Sequence, residues 1–255
     1  MEYRIRTDLF RPFAVLALAG AVSLVVSAAV AASAYRGRGE DHAREGRRLS
    51  VKGLAVKRVR SDVGVWAIVV KGEAPELKDA YGKLVSGFDR VKAFLRERGF
   101  PDAAVGVSAI DTDTHYKSAG YNETTREVVS YSLKRSLTVT SPDVERIADA
   151  AGEVTRLIGE GVLVVSSAPE YHFSGLAALK VELMGLAAQD ARARADELAS
   201  NAGGRVGELQ DAQMGVLQIT RPHSTETASY GVYDTDTIEK DVRAVVTVTF
   251  RVEPS

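Results

Sequence analysis

The chain has 255 residues, of which 45% are hydrophobic, so it is long enough to bury a core as one large or two small domains. Its 33 basic and 34 acidic residues give a formal net charge of -1, which provides no global field for a polyanion and argues against nucleic acid as a partner. The absence of cysteine excludes disulfides, thiolate catalysis and cysteine-ligated metal sites.

The N-terminal part of the sequence predicts a membrane anchor. No charged residue occurs from Phe13 to Tyr35, a run of roughly 23 residues or about 35 Å of helix, which is enough to span a hydrocarbon core of about 30 Å. The three arginines before the run favour a cytoplasmic N-terminus. An Ala-Ser-Ala sequence at 32–34 leaves a cleaved signal peptide open. We favour an uncleaved anchor, because the run exceeds the usual signal core of about 7–15 residues.

Four segments follow from this pattern. Residues 1–12 are predicted to be a short cytoplasmic N-terminus, and 13–35 a transmembrane anchor or signal-anchor. Residues 36–48 alternate charge with glycine and predict a solvated linker. The remainder, 49–255, is predicted to be an α+β domain.

The domain begins with two predicted strands and a helix. Leu49–Lys71 contains two strand-like runs that are divided near Ser61, and the second run is apolar on both faces, which predicts a buried strand. The helix that follows has Pro75 in its first turn and Gly99 after its end. Its predicted apolar stripe consists of Leu77, Tyr81, Leu84, Phe88, Val91 and Leu95.

Two further strands and a second helix are predicted next. The strands cover about Val105–Tyr116 and Glu127–Thr140, and the polar residues 118–126 between them predict a hairpin loop. Ser141 and Pro142 have the chemistry of an N-cap and a first helical position. The predicted apolar stripe of this second helix consists of Val144, Ile147, Ala151, Val154 and Ile158.

The last third of the chain repeats this order of elements. A strand at Val162–Phe173 precedes a long helix that Ser174 is predicted to cap and that ends near Asn201. Strands are predicted within Val206–Thr220 and Val242–Val252. The predicted inward face of the long helix consists of Leu176, Leu179, Leu183, Leu186, Ala187, Ala191 and Leu198. Helix, glycine, strand, polar loop and strand thus occur twice, which predicts duplicated helix-plus-antiparallel-strand units.

One short segment contains residue types that bind metal ions. Asp111, Asp113 and His115 alternate along a predicted strand, and two carboxylates with an imidazole are ligands for a divalent ion. In a strand, however, the two aspartates lie nearly 7 Å apart by this periodicity, so chelation would need further ligands. A metal-dependent hydrolase that uses these three residues is therefore the alternative function. The Asp-Thr-Asp-Thr sequence at 234–237 is typical of a turn.

The remaining sequence offers no catalytic or cofactor-binding pattern. It contains no nucleophile elbow, phosphate-binding glycine loop or His-Glu-x-x-His helix. His42 belongs to the linker, and His223 has no partner pattern. His172 stands between two aromatic residues, which favours an aromatic cluster that closes the core. We therefore predict no enzyme, no cofactor and no resident metal.

Three passages resemble the SIMPL-domain family, a former domain-of-unknown-function group. Residues 51–53 (VKG) resemble its opening strand, and 131–140 with Asp143 resemble its strand leading into a capped helix. The alanine-repeat helix at 187–199 and the glycine turn at 203–207 are its most specific mark. The resemblance covers roughly residues 50–252.

This resemblance implies two α+β units in a protein that is secreted or anchored outside the cytoplasm, and a role in binding or assembly. We therefore expect a non-enzymatic, single-pass protein of the cytoplasmic (inner) membrane, with its domain in the periplasm or outside the cell. The expected partners are the membrane, through the N-terminal helix, further copies of the chain in a homo-oligomer, and an envelope protein. Contacts are expected at strand edges and at the polar loops Ser118–Glu127 and Pro222–Glu239.

Overall fold

A computed structural model describes residues 47–120 and 123–254, which form an α+β fold. The predicted anchor at 13–35 and nearly all of the linker at 36–48 lie outside the described residues. Within the described ranges, no helix combines the length and the hydropathy needed to cross a bilayer.

The described residues form three α-helices, two 3-10 segments and eleven strands. The helices are α1 (Leu77–Glu97), α2 (Val144–Glu153) and α3 (Leu176–Asn201), and the 3-10 segments are Asp102–Ala104 and Val154–Glu160. The strands are β1 (Arg48–Arg60), β2 (Val63–Ala74), β3 (Val105–Val107), β4 (Asp111–Gly120), β5 (Glu123–Ser141), β6 (Leu163–Ser166), β7 (Glu170–His172), β8 (Gly204–Met214), β9 (Gln218–Thr220), β10 (Val232–Tyr233) and β11 (Glu239–Pro254).

The strands form two sheets. A six-stranded sheet has the order β3-β5-β2-β6, with β4 paired to β5 and β7 paired to β2, and its pairs are antiparallel. A five-stranded sheet has the order β1-β11-β9-β10, with β8 paired to β11. The second sheet is mixed, because β9 runs parallel to β10 and antiparallel to β11.

The described chain divides into two units. The larger consists of Lys52–Ala191 with Gln213–Thr247 and contains the whole six-stranded sheet. The smaller combines Arg192–Ala212 with the described chain ends, 47–51 and 248–254.

The core of the larger unit is built on the inward face of β2. Trp66, Ile68 and Val70 alternate along this strand and are fully buried, as expected for a strand whose every second side chain points inward. The indole N–H of Trp66 donates to Ser166 Oγ at 3.0 Å, which satisfies its only polar atom. The helical residues of this core are Ala80, Leu84, Phe88, Val91, Phe94 and Leu95 of α1 and Val144, Ile147 and Ala150 of α2.

Two glycines let helices approach strands at backbone distance. A Cβ atom at Gly72 of β2 would collide with the Ala80 carbonyl oxygen and would lie 2.5 Å from Leu84 N, both in α1. A Cβ atom at Gly53 of β1 would collide with the Ala187 carbonyl oxygen and would lie 2.6 Å from Ala191 N, both in α3. In each case the missing side chain is what allows the helix to lie this close.

The smaller unit is organised around Arg192. Its guanidinium lies 5.2 Å from the centre of the Phe250 ring, contacts Asp196 at 3.1 Å and donates to the carbonyl oxygens of Val206 and Gly207 at 3.2 and 3.3 Å. One side chain therefore joins the end of α3 to β8 and β11. An ion pair between Arg205 and Glu253, at 2.8 Å, adds a second link.

The predicted elements are largely confirmed, and the differences lie at their ends. The two opening strands divide between Arg60 and Val63, as predicted. The residues predicted as a loop at 118–126 belong mostly to strands, because β4 and β5 continue to Gly120 and from Glu123. The predicted strand at 105–116 is broken into β3 and β4.

Three predicted helix details are wrong. Asp143, not Ser141, caps α2 by accepting a hydrogen bond from Arg146 N at 3.0 Å, and Ser141 ends β5. Ser174, predicted to cap α3, donates its hydroxyl to Asp62 at 2.6 Å. Several residues predicted to be inward are exposed on the helix flanks or in the 3-10 segment: Leu77, Tyr81, Ile158, Leu186 and Leu198.

We expect the substitution Gly72→Ala to destabilise the larger unit by about 1–3 kcal/mol, because its methyl group would push α1 off β2. Gly82→Ala in the same helix is the matched control, since nothing lies within 4 Å of the position of its Cβ. Alanine there should stabilise the protein by about 0.5–1 kcal/mol. Urea unfolding of both variants measures the difference, and equal midpoints would contradict the proposed contact.

Candidate functional site

The segment with the candidate metal ligands lies on β4, and both of its aspartates contact Lys134. Lys134 Nζ contacts Asp111 at 3.0 Å and Asp113 at 3.3 Å across the β4–β5 pair. The hydrogen bond from Lys134 lowers the pKa of Asp111, and the hydrogen bond to Asp111 raises the pKa of Lys134. His115 follows two positions further along the strand, opposite Ser130. Both carboxylates are thus engaged by an ammonium group, and the described part of the chain holds no cluster of three metal-ligating side chains.

The predicted turn at 234–237 forms around a buried lysine. Asp234 accepts hydrogen bonds from Asp236 N, at 2.8 Å, and from the Thr237 hydroxyl, which is the expected turn chemistry. Lys240 Nζ donates to the carbonyl oxygens of Asp234 and Thr237, each at 2.6 Å. Burial lowers the pKa of Lys240, and the nearby Asp234 carboxylate opposes that shift. This residue was not predicted from the sequence, although a lysine at the start of an apolar strand is a usable signal.

A buried carboxylate holds the preceding loop. Asp241 accepts two hydrogen bonds from the Arg58 guanidinium, at 2.9 and 3.2 Å, and one from His223 N at 3.2 Å. The hydrogen bond from Arg58 holds the pKa of Asp241 below its ordinary value of 3.8. His223 has a φ of 62°, so the chain bends sharply at this contact. The loop at 222–239, predicted as a contact region, is therefore anchored by side chains at both ends.

His172 lies beside an aromatic ring and a carboxylate. His172 lies in β7 with its ring centre 6.4 Å from that of Tyr233 and its Nε2 3.5 Å from Glu170. The neighbouring Tyr171 is the aromatic residue that enters the core. His42 lies outside the described residues.

The β4–β5 hairpin forms an arm beyond the core. The side chains at 115–118 and 126–129 are exposed, including Tyr116, Val128 and Val129, which expose 49%, 39% and 52% of their surface. Pairing passes from His115 opposite Ser130 to Tyr116 opposite Val128, so Val129 is an extra residue in a bulge. We call residues 114–130, without the two that the structure leaves undescribed, the hairpin arm.

A cleft of about 520 Å³ lies between α1 and the turn that leads into β6. Lys71, Lys83, Ser86 and Glu160 are the polar residues that line it. The Arg90 guanidinium binds the Glu160 carboxylate at 2.6 and 3.1 Å and lowers its pKa. Lys83 Nζ donates to the Glu73 carbonyl oxygen at 2.9 Å, and Lys71 forms no ion pair with any residue in the described part of the chain.

Beside this cleft, β2 extends past its neighbour. Strand β6 pairs with β2 only as far as Lys71, opposite Leu163, whereas β2 continues to Ala74. The Ala67 carbonyl oxygen accepts from Ser167 N at 3.1 Å, so the backbone groups of Ala67 point to the β6 side. Alternate residues of a strand share that direction, so the N–H and C=O of Glu73 point to the same side, beyond the point where the pairing with β6 ends.

We expect Asp241→Asn to destabilise the protein by about 1–3 kcal/mol at pH 7, because the Arg58 guanidinium loses a charged acceptor. The pKa of Asp241 is depressed in the folded state, so its contribution is complete above the ordinary value of 3.8 and is lost as the pH falls through the folded pKa. The difference between wild type and variant should thus shrink below about pH 4. Urea midpoints at several pH values test this, with Asp211→Asn, at an exposed aspartate, as the control. A difference that stays constant down to pH 2 would contradict it.

Comparisons with known proteins give one clear match. The family model SIMPL, described as a protein of unknown function (DUF541), matches residues 49–250. No curated protein matches the chain. Among solved structures, the ligand-free regulatory subunit of aspartate kinase from Thermus thermophilus is 15% identical, covers 79% of this chain and 88% of its own, and has a TM-score of 0.18.

An uncharacterized conserved protein from Listeria innocua is 13% identical, covers 75% of this chain and 91% of its own, and has a TM-score of 0.20. Both TM-scores are too low to support an argument about this chain. The family match is different in kind, because it spans most of the sequence and nearly the whole described region. The chain belongs to the SIMPL family of proteins of unknown function.

Proposed function

We propose that this chain is a non-enzymatic binding or assembly module of the cell envelope. In this proposal residues 13–35 span the cytoplasmic (inner) membrane once, and the domain at 49–255 lies in the periplasm or outside the cell. The uncharged run in the sequence supports the anchor, and the family supports the module, since its description names no catalytic activity.

The domain is further proposed to consist of duplicated units. Its two long strand–helix contacts use the same device, a glycine in the strand against a helix backbone, at Gly53 with α3 and at Gly72 with α1. Each contact places a strand before the helix in the chain, with further strands after it. This repeated geometry favours duplication more directly than the order of elements alone.

The hairpin arm is the observation that supports assembly most directly. A two-stranded hairpin without a core is marginally stable in water, yet this one carries exposed tyrosine and valine side chains at Tyr116, Val128 and Val129. Such a surface gains stability when a partner covers it. A homo-oligomer in which the arm contacts another copy is the simplest such arrangement, and an envelope protein is the other proposed partner.

The anchor is tested by fractionation. The full-length protein should remain in the membrane pellet after alkaline carbonate extraction, because a spanning apolar helix is not released by loss of ionic contacts. A variant without residues 13–35 should appear in the supernatant. Recovery of the full-length protein with cytosolic enzymes would overturn the proposed location.

The assembly role is tested by crosslinking in intact membranes. The double variant Val128→Thr with Val129→Thr keeps β-branched side chains but makes the arm polar, so crosslinked species should fall at least threefold, as estimated from a loss of about 1 kcal/mol or more of apolar contact. Val181→Thr, at a valine of α3 with 71% of its surface exposed, is the matched control and should leave the crosslinks unchanged. Crosslinks that persist at wild-type level in the arm variant would contradict the assignment.

A further inference from the structure

We propose that the cleft between α1 and β6 binds the C-terminal carboxylate of an extended peptide, whose backbone pairs with the free edge of β2 at Glu73. This inference deepens the proposed function, because it rests on the chain being a binding module and names the chemistry of one ligand. It concerns a different surface from the hairpin arm.

The charges of the cleft favour a carboxylate. Two lysines line it, whereas its one carboxylate, Glu160, already accepts hydrogen bonds from Nε and Nη2 of Arg90. The Lys83 ammonium donates to a neutral carbonyl oxygen, and no ion pair joins Lys71 to a carboxylate within residues 47–120 and 123–254. An incoming carboxylate would therefore supply the missing negative charge and form charge-assisted hydrogen bonds.

The backbone beside the cleft favours an extended peptide. The N–H and C=O of Glu73 point to the side where β6 has ended, so they offer a donor and an acceptor to an added strand. The Lys83 ammonium that now binds the Glu73 carbonyl oxygen would move to the carboxylate when a peptide N–H takes its place. The N–H and C=O groups of a strand edge match the C=O and N–H groups of an extended peptide, and neither a phosphate nor a sugar repeats this pattern.

The dimensions and the wall of the cleft fit a short peptide end. A volume of about 520 Å³ lies within the range of roughly 300–1,000 Å³ that is typical of ligand sites. Leu163, opposite Lys71 in the β2–β6 pair, exposes 48% of its surface and offers an apolar contact beside the lysine. The turn before it bends at Gly161, whose φ of 86° favours glycine, so this lining residue adds no side chain to the cleft.

The test uses the full-length protein in detergent micelles. The probe is a randomised hexapeptide library with an N-terminal fluorophore and a free C-terminal carboxylate, and the same library amidated at its C-terminus is the comparison. Wild-type protein should retain the free-carboxylate library at least tenfold better. The double variant Lys71→Gln with Lys83→Gln should lose that preference, because glutamine keeps the polar contacts and removes the charge.

Lys78→Gln, at an exposed lysine of α1 outside the cleft, is the matched control and should keep the preference. Retained free-carboxylate peptides should also slow hydrogen exchange at the Glu73 amide. Pairing of the peptide backbone with β2 requires this protection, whereas a purely ionic contact with the lysines does not. Equal retention of the two libraries by wild type, an undiminished preference in the double variant, or an unprotected Glu73 amide would each overturn the proposal. None of these outcomes depends on the membrane anchor, so failure here is distinguishable from failure of the fractionation test.

Discussion

The close approach of α1 to β2 determines where the exposed surfaces of the larger unit lie. At Gly72 the helix backbone occupies the space of a side chain, so α1 is held directly over the strand. Gly87, one turn beyond Leu84, continues this contact, because its Cβ would meet Val162 and Val70 at 3.1 and 3.2 Å. One flank of α1 is thereby placed against the turn that begins β6, and the cleft forms beside that contact. A packing constraint in the core thus fixes the geometry of a surface site.

Charge fixes the part of the fold that apolar packing leaves unspecified. Between β9 and β11 the chain is polar, and it is positioned by two residues at the start of β11, Lys240 and Asp241. The lysine binds carbonyl oxygens within the turn, and the aspartate binds Arg58 of β1 and His223 of the loop. Because both groups are buried, each needs its partners, and breaking either set leaves an unsatisfied charge. These contacts give an otherwise irregular segment one conformation.

The sequence predicted the elements better than their ends or their surfaces. The alternation along β11 and the apolar stripe of α1 could be predicted, because burial of one face imposes a period of two residues on a strand and of 3.6 residues on a helix. The exposure of Leu77 and Tyr81 could not be predicted. Periodicity identifies the apolar face of a helix, but it does not show how far along the helix the sheet covers that face. Residues 118–126 of the hairpin arm were predicted as a polar loop, because a two-stranded ribbon exposed on both faces has no inward residues to alternate. The cleft was beyond prediction, because Lys71 and Lys83 lie on different elements, which the contact at Gly72 brings together.

The two candidate surfaces differ in how a partner would stabilise them. The hairpin arm exposes apolar side chains on a ribbon whose own backbone is paired, so a partner gains mainly by removing apolar area from water. The edge at Glu73 differs, because its side chains are already packed or charged while its backbone is not paired with β6. The present occupant of that edge is a lysine ammonium, which prevents another strand from pairing there without displacing it. Positive charge at an open edge is a known protection against unspecific strand addition. The same charge favours a strand that ends in a carboxylate, so in our proposal Lys83 protects the edge and shares in recognition.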